Sequence, residues 1–418
     1  MNAEGDAFDA MGSNLVARPV IAVIAPANNP ELTLQNPEAF GLFRYYIVNL
    51  ASWYDLNDRK RHFTDLVPIK ARQSPLLLSA ILAFSAASKH TMSMSEVSST
   101  EVADFYHLQS VRILLQVTST FQDVISNGEV LAAICLLRSF EILTQNHKSQ
   151  SHLQGCYSLL ASHPINIHSE TGLVRAAFWN YLREDITVAL IEKRQLMLDL
   201  SEDHLPKDLE HDDDYANYIT VLLGQVINRG FSSDSDSLRA PTYHALENAL
   251  DGWKNGLPDS FAPIEVNLTN STQGVFPFRA TLHDWHVAAW QYYYTAMSIL
   301  LLVSPSAHER TAIEKINEVA NLTRNLENHA SEICALALAS ESSGVWVNSF
   351  GPIAFCGCWL RDQNKLREVI RGVEHWGART GWPVVDIVKC LREGTGVLHG
   401  DEHKSNNMGD RVIRRESQ

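Results

Sequence analysis

Apolar residues recur at three- and four-residue steps through most of this chain, the spacing that one buried face of an α-helix requires. Phe40, Phe43, Ile47 and Leu50 open the pattern. Ser74-Pro75 then sets a capping side chain before a ring suited to the first helical position. The stretch that follows, LLLSAILAFSAASKH, is apolar almost all round and belongs in the middle of a fold. The same periodicity predicts helices near 101–121, 127–146 (with Asn127 as cap), 152–162, 170–192, 215–231, 241–255, 282–303 and 308–341. Two or three more close the pattern before 398. No period-two alternation is long enough for a sheet, and Ile21–Ile24, the one strand-like run, has nothing to pair with. The expected fold is all-α: one large domain of about 11–13 helices over residues 37–398. A flexible leader at 1–36 and a disordered tail at 399–418 are expected to flank it.

Composition narrows the setting. Of 418 residues, 45% are apolar and 20% charged, a globular balance. The longest apolar runs, such as Val130–Leu137 and Ile333–Ala339, fall well short of the roughly 20 residues that span a bilayer. The opening MNAEGDAFDAMGSN lacks the basic-then-apolar order of a secretion signal, so the expected location is nucleus or cytoplasm, with no membrane contact. Six cysteines, at 135, 156, 334, 356, 358 and 390, sit mostly in apolar helical context and are expected to be reduced core thiols. The net charge of −14 repels phosphate backbones, and Arg59-Lys60-Arg61 and the Arg411–Arg415 tail are too short to compensate. Direct binding to nucleic acid is therefore not expected.

Three groups of residues carry candidate chemistry. Asp212-Asp213-Asp214 with Asn217 one turn on sits at a helix start. There, carboxylates either satisfy free amides and the helix dipole or, with Asp212, Asp213 and Asn217 as oxygen ligands, hold magnesium. Trp285, Trp290, Tyr292, Tyr293 and Tyr294, with His283 and His286, crowd one long helix. On it His286, Trp290 and Tyr293 can share a side, as a core filling or as the wall of an apolar ligand site to which Trp285 also contributes. Trp179 and Arg183, four apart, can meet on one helix face, with Glu184 or Asp185 free to pair with a neighbouring helix. Lys254, Arg183 and Arg194 are the cations available for a diphosphate. No glycine-rich dinucleotide loop, phosphate loop or nucleophile elbow is present in these residues.

Several segments, taken in order, resemble a known family. They are LFRYYIVNLASWYDLNDRKRHFTDLVPIKARQSPLLLSAILAFSAASKH at 42–90, HLQGCYSLLASH at 152–163, AAFWNYLREDITVALIEKRQLMLDL at 176–200 and DDDYANYITVLLGQVINRGF at 212–231. LDGWKNGLPDSFAPI at 250–264, WQYYYTAMSILLL at 290–302 and GWPVVDIVKCLRE at 381–393 continue the series. Together, over residues 40–395, they resemble the fungal-specific transcription factor domain, the regulatory region that usually follows a binuclear zinc cluster. The resemblance implies an all-α body that senses a metabolite or partner and controls DNA-binding and activation segments. The zinc cluster needs six closely spaced cysteines, whereas the first cysteine here is Cys135. The expectation is thus a transcription-regulator-like protein without its own DNA reader. It would sense a small apolar metabolite, or pair as a homodimer or with a DNA-binding factor, in a fungal specialised-metabolite pathway. The alternative is an enzyme of the same shell: a cyclase or Diels-Alderase-like pericyclase acting on a terpenoid or polyketide in an apolar cavity. No cofactor is expected, except magnesium under the terpene-cyclase reading.

Overall fold

Asparagine and proline set the first boundaries. Asn29 accepts from the Leu32 amide and Asn36 from the amides of Glu38 and Ala39, so helices start at Pro30 and Pro37. The computed structural model describes residues 26–93, 97–120, 128–145, 150–162, 170–233, 240–266, 275–305 and 311–394. Within the leader expected over 1–36, residues from Pro26 onward are already packed. The Ala27 amide donates to Gln109 and the Thr33 hydroxyl to the Pro26 carbonyl. Ile21–Ile24, Asn127 and the 399–418 tail lie outside the described residues.

The helices are α1 (Pro30–Thr33), α2 (Pro37–Tyr45), α3 (Val67–Ala71), α4 (Pro75–Ser93), α5 (Val97–Thr120), α6 (Glu129–Gln145) and α7 (Ser151–Ser162). They continue as α8 (Gly172–Glu192), α9 (Asp212–Gly230), α10 (Ala240–Asn255) and α11 (Asp284–Leu302). The last four are α12 (Ala312–Leu338), α13 (Ser343–Cys356), α14 (Gln363–Thr380) and α15 (Val385–Glu393). The fold is thus a single large all-α domain. Its fifteen helices among the described residues exceed the expected number by α1 and α3, which are too short to show a period. A two-stranded antiparallel pair was also not foreseen: β1 (Ile264–Val266) runs against β2 (Phe278–Ala280), with Ile264 opposite Ala280. Three residues cannot display alternation.

The apolar run after Pro75 is buried from Leu76 to Ala87, and α4 packs on α2, α5 and α6. Even more central is α8, buried from Leu173 to Leu190 except at Arg175 and Glu184. It packs against α6, α9 and α13. The approach to α13 is close because Gly351 has no side chain: a Cβ there would lie 2.9 Å from the Thr187 Cα. Around this centre, α11 lies against α9, α12 and α13, and α15 closes on α13 and α14. Four of the six free cysteines are buried in this core, and burial pushes the Cys356 thiol up to about 12. No helix among the described residues is long and apolar enough to cross a membrane.

Candidate functional site

Irregular helix builds one wall of the site. Helix α2 widens into a π turn over Tyr46–Leu50 and then tightens into a 3-10 turn over Ala51–Asp55, which delivers the chain to a loop at Asn57–His62. Asp58 shapes that loop: its carboxylate accepts from the amides of Lys60 (3.1 Å) and His62 (2.9 Å) and pairs with His62 Nδ1 at 2.7 Å. Burial works against ionisation of Asp58, but the bonds from His62 outweigh it and hold the carboxyl below its ordinary value. Arg61, at φ 52°, takes the left-handed conformation that side chains seldom adopt. Asp55 then caps the next turn, accepting from Phe63 and Thr64 at 2.9 and 2.8 Å.

The aspartate run forms the opposite wall, and its three carboxylates diverge. Helix α9 begins at Asp212, three residues before the expected start, so all three stand in its first turn. Asp212 turns toward α11 and meets His286 Nε2 at 2.8 Å. Asp213 accepts from the Arg59 amide at 3.3 Å and faces its guanidinium at 3.5 Å. Asp214 pairs with Arg175 of α8 at 3.4 Å and accepts from the His211 amide at 3.1 Å, which caps the helix. Asn217 donates to the Asn57 carbonyl at 3.1 Å and so ties the loop to α9. Asp212, Asp213 and Asn217 thus point to three different partners. Among the described residues, no group of three His, Cys, Asp or Glu side chains converges as a metal site would need.

Between these walls lies a cleft of about 340 Å³. The Asn57–His62 loop, the first turns of α8 and α9 and the segment Pro206–His211 line it. Its rim carries both signs: Arg59, Lys60, Arg175 and Lys207 against Asp58, Asp208, Glu210, Asp213 and Asp214. Its floor is different. Asn57, Trp179 and Asn217 are buried, yet both amide atoms of Asn57, the Trp179 indole nitrogen and Asn217 Oδ1 have no partner in the protein. Buried polar atoms are nearly always paired, so two donors and two acceptors left free beside a cavity mark a place for a bound molecule or ordered water. Burial also raises the Asp213 carboxyl, against the pull of Arg59.

The remaining candidates lie elsewhere. His286, Trp290 and Tyr293 do come together, in a ring cluster with Trp253 and Phe261. Phe261 lies 4.3 Å from His286, and Trp253 lies 5.8 Å from Trp290 and 5.6 Å from Tyr293. Trp290 donates to the Phe261 carbonyl at 2.8 Å and Trp253 to the Tyr215 carbonyl at 2.9 Å. Trp285 stacks on His283 at 4.3 Å. None of these rings lines the cleft. Arg183 donates to the Tyr54 carbonyl and to Asn180, while Glu184 reaches Arg138 of α6 at 3.8 Å. Lys254 sits over the Tyr293 ring and Arg194 pairs with Asp185, so the three cations considered for a diphosphate are dispersed. Asn57, Asp58 and His62 were not anticipated. Their only trace in the sequence is Asn57-Asp58, a turn signal, before a basic triplet.

Fold and site together define an all-α protein with a polar cleft of ligand size that joins four separate segments. The sequence matches the fungal specific transcription factor domain over residues 41–376, and the chain belongs to that family. It is similar to the transcription activator AMTR1 of Alternaria alternata, at 22% identity over 510 aligned residues that cover 90% of this chain. The chain spans 66% of that relative, just under two thirds of its length. No solved structure matches.

Proposed function

We propose that this chain is a transcriptional regulator that senses a small polar metabolite in the cleft and passes its occupancy to a DNA-binding module, on this polypeptide or on a partner, in a fungal specialised-metabolite pathway. The observation that carries the reading is the set of unpaired buried atoms on Asn57, Trp179 and Asn217, in a body that belongs to a transcription factor family. A volume of about 340 Å³ falls in the range of small-molecule clefts, roughly 300–1,000 Å³. Two free donors and two free acceptors favour a ligand that offers both kinds of group, in place of the apolar metabolite expected from the aromatic run. A ligand bridging the loop, α8, α9 and Pro206–His211 stabilises the arrangement in which those segments are docked, and differential affinity of that kind shifts a conformational equilibrium. Because the chain carries a net charge of −14, it relies on another module for contact with DNA.

The test is a transcriptional reporter for the genes beside the locus, in a deletion strain complemented with wild type or with Trp179→Phe. Wild type restores the signal. The variant stays aromatic but exchanges the indole for a smaller ring without the unpaired N–H, so it still accumulates but fails to respond to pathway metabolites. Equal response from both would contradict a sensing role for the cleft.

A further inference from the structure

A second cavity opens one turn further along α8, between that helix, the turn at Trp53-Tyr54 and α13. Its volume is about 60 Å³, room for two water molecules at ~30 Å³ each or for one carboxylate group. Half-buried Trp53, Glu184 and Val347 stand on its wall and leave it open to solvent.

Three donors of the wall have no partner in the protein: Arg183 Nη1, Asn348 Nδ2 and Trp382 Nε1. Their residues are 5%, 7% and 6% exposed. The acceptors around them are already engaged. Asn180 Oδ1 takes Arg183 Nη2 at 2.7 Å, the Tyr54 carbonyl takes Asn180 and Arg183 at 2.9 and 3.2 Å, and Asn348 Oδ1 takes the Tyr292 hydroxyl at 2.7 Å. Ser139 receives the Tyr54 hydroxyl at 2.6 Å. The buried atoms of this wall that lack a partner are therefore all donors.

Charge points the same way. Arg183 forms no ion pair among the described residues, and a guanidinium does not shed its proton to escape burial. Glu184, the one carboxyl on this wall, is directed to Arg138 at 3.8 Å. Burial pushes Glu184 up to about 8, so at neutral pH it brings little negative charge to Arg183. Water would satisfy the donors but add no charge at contact distance, where the cation has none: Asp58 and Asp55 act on Arg183 only from beyond ion-pair range. A carboxylate satisfies both, with two oxygens for donors arranged around one small space.

We propose that this cavity binds the carboxylate head of a small organic acid, held by Arg183, Asn348 and Trp382, at a site separate from the polar cleft. The test follows thermal unfolding of the full chain in sodium acetate, propionate or butyrate, against acetamide and sodium chloride at matched ionic strength. The carboxylates give a saturable rise of about 3 °C at a hundredfold excess over Kd, and the amide and chloride do not. Trp382→Phe removes the indole N–H along with part of the ring and weakens the affinity about tenfold. Asn348→Asp keeps the acceptor for Tyr292, supplies Arg183 with its own carboxylate and abolishes the shift. A rise of equal size with chloride or acetamide, no saturable rise at all, or an unchanged affinity in Trp382→Phe would each overturn the proposal, whether or not Asn348→Asp folds.

Discussion

The ring cluster on α11 and the polar cleft at the start of α9 lie on two sides of one short aspartate run, and they treat burial in opposite ways. Asp212 faces the rings and closes on His286. Asp213 and Asp214, its immediate neighbours, face the cleft. In the cluster, the indole groups of Trp253 and Trp290 find carbonyls and the rings touch one another. In the cleft, Trp179 and two asparagines are equally buried but leave four polar atoms unpaired beside open space. The cluster also leaves Trp285 Nε1 and His286 Nδ1 unpaired, but neither residue lines the cleft or the smaller cavity. Aromatic density therefore marks packing here, and the coincidence of unpaired atoms with a cavity marks a place for a bound molecule or ordered water.

The largest expected effect breaks the cluster. Trp253→Ala removes the ring that touches Trp290, Tyr293 and Phe261, and chemical denaturation should show a loss of about 3–5 kcal/mol. A loss under about 1 kcal/mol would mean that the rings line a space rather than fill one. Next is Asp212→Ala, which strands the buried His286 and should lower stability by about 1–3 kcal/mol in the same assay.

Titration adds a contrast of sign between His286 in the cluster and Glu184 at the smaller cavity. Burial lowers the His286 imidazole below its ordinary 6.5, despite Asp212. The unfolded chain thus binds that proton more readily, and stability is lost as pH falls through 6.5. In His286→Gln the drop in Tm between pH 7 and pH 5 should be smaller than in wild type. Glu184 behaves in the opposite sense: burial raises it from 4.5 to about 8, so its contribution is present below 4.5 and is lost as pH rises toward 8. Glu184→Gln should flatten that decline in Tm across the same interval. The smallest stability effect belongs to the cleft. Trp179→Phe deletes an N–H that has no partner and exchanges a buried indole for a smaller ring, so unfolding should weaken by only about 1 kcal/mol.

Much of the fold was open to reading from periodicity, because long helices repeat their apolar face several times. The apolar run after Pro75 gave its burial directly. Elements of three to five residues, such as α1, α3 and β1, carry no repeat to read. The site was less accessible. Asp213, Asn217 and Trp179 stand out in the sequence, and the structure places all three in the cleft. Their grouping depends on Asn57–His62 docking onto α9 across more than 150 residues, through Asn217 to Asn57 and Arg59 to Asp213. No local pattern encodes that contact. The sequence also offers no means to tell Tyr293, which fills the core, from Trp179, which borders a cavity, since both are buried aromatic residues on apolar helices.

The central claim is that this helical body regulates transcription, and deletion of its gene in the host tests it most directly. Transcripts of the neighbouring genes and the metabolite profile are measured from one culture. The account predicts that the transcripts fall and the whole pathway's products disappear together. Unchanged transcripts with a single intermediate accumulating would contradict it and make this fold an enzyme.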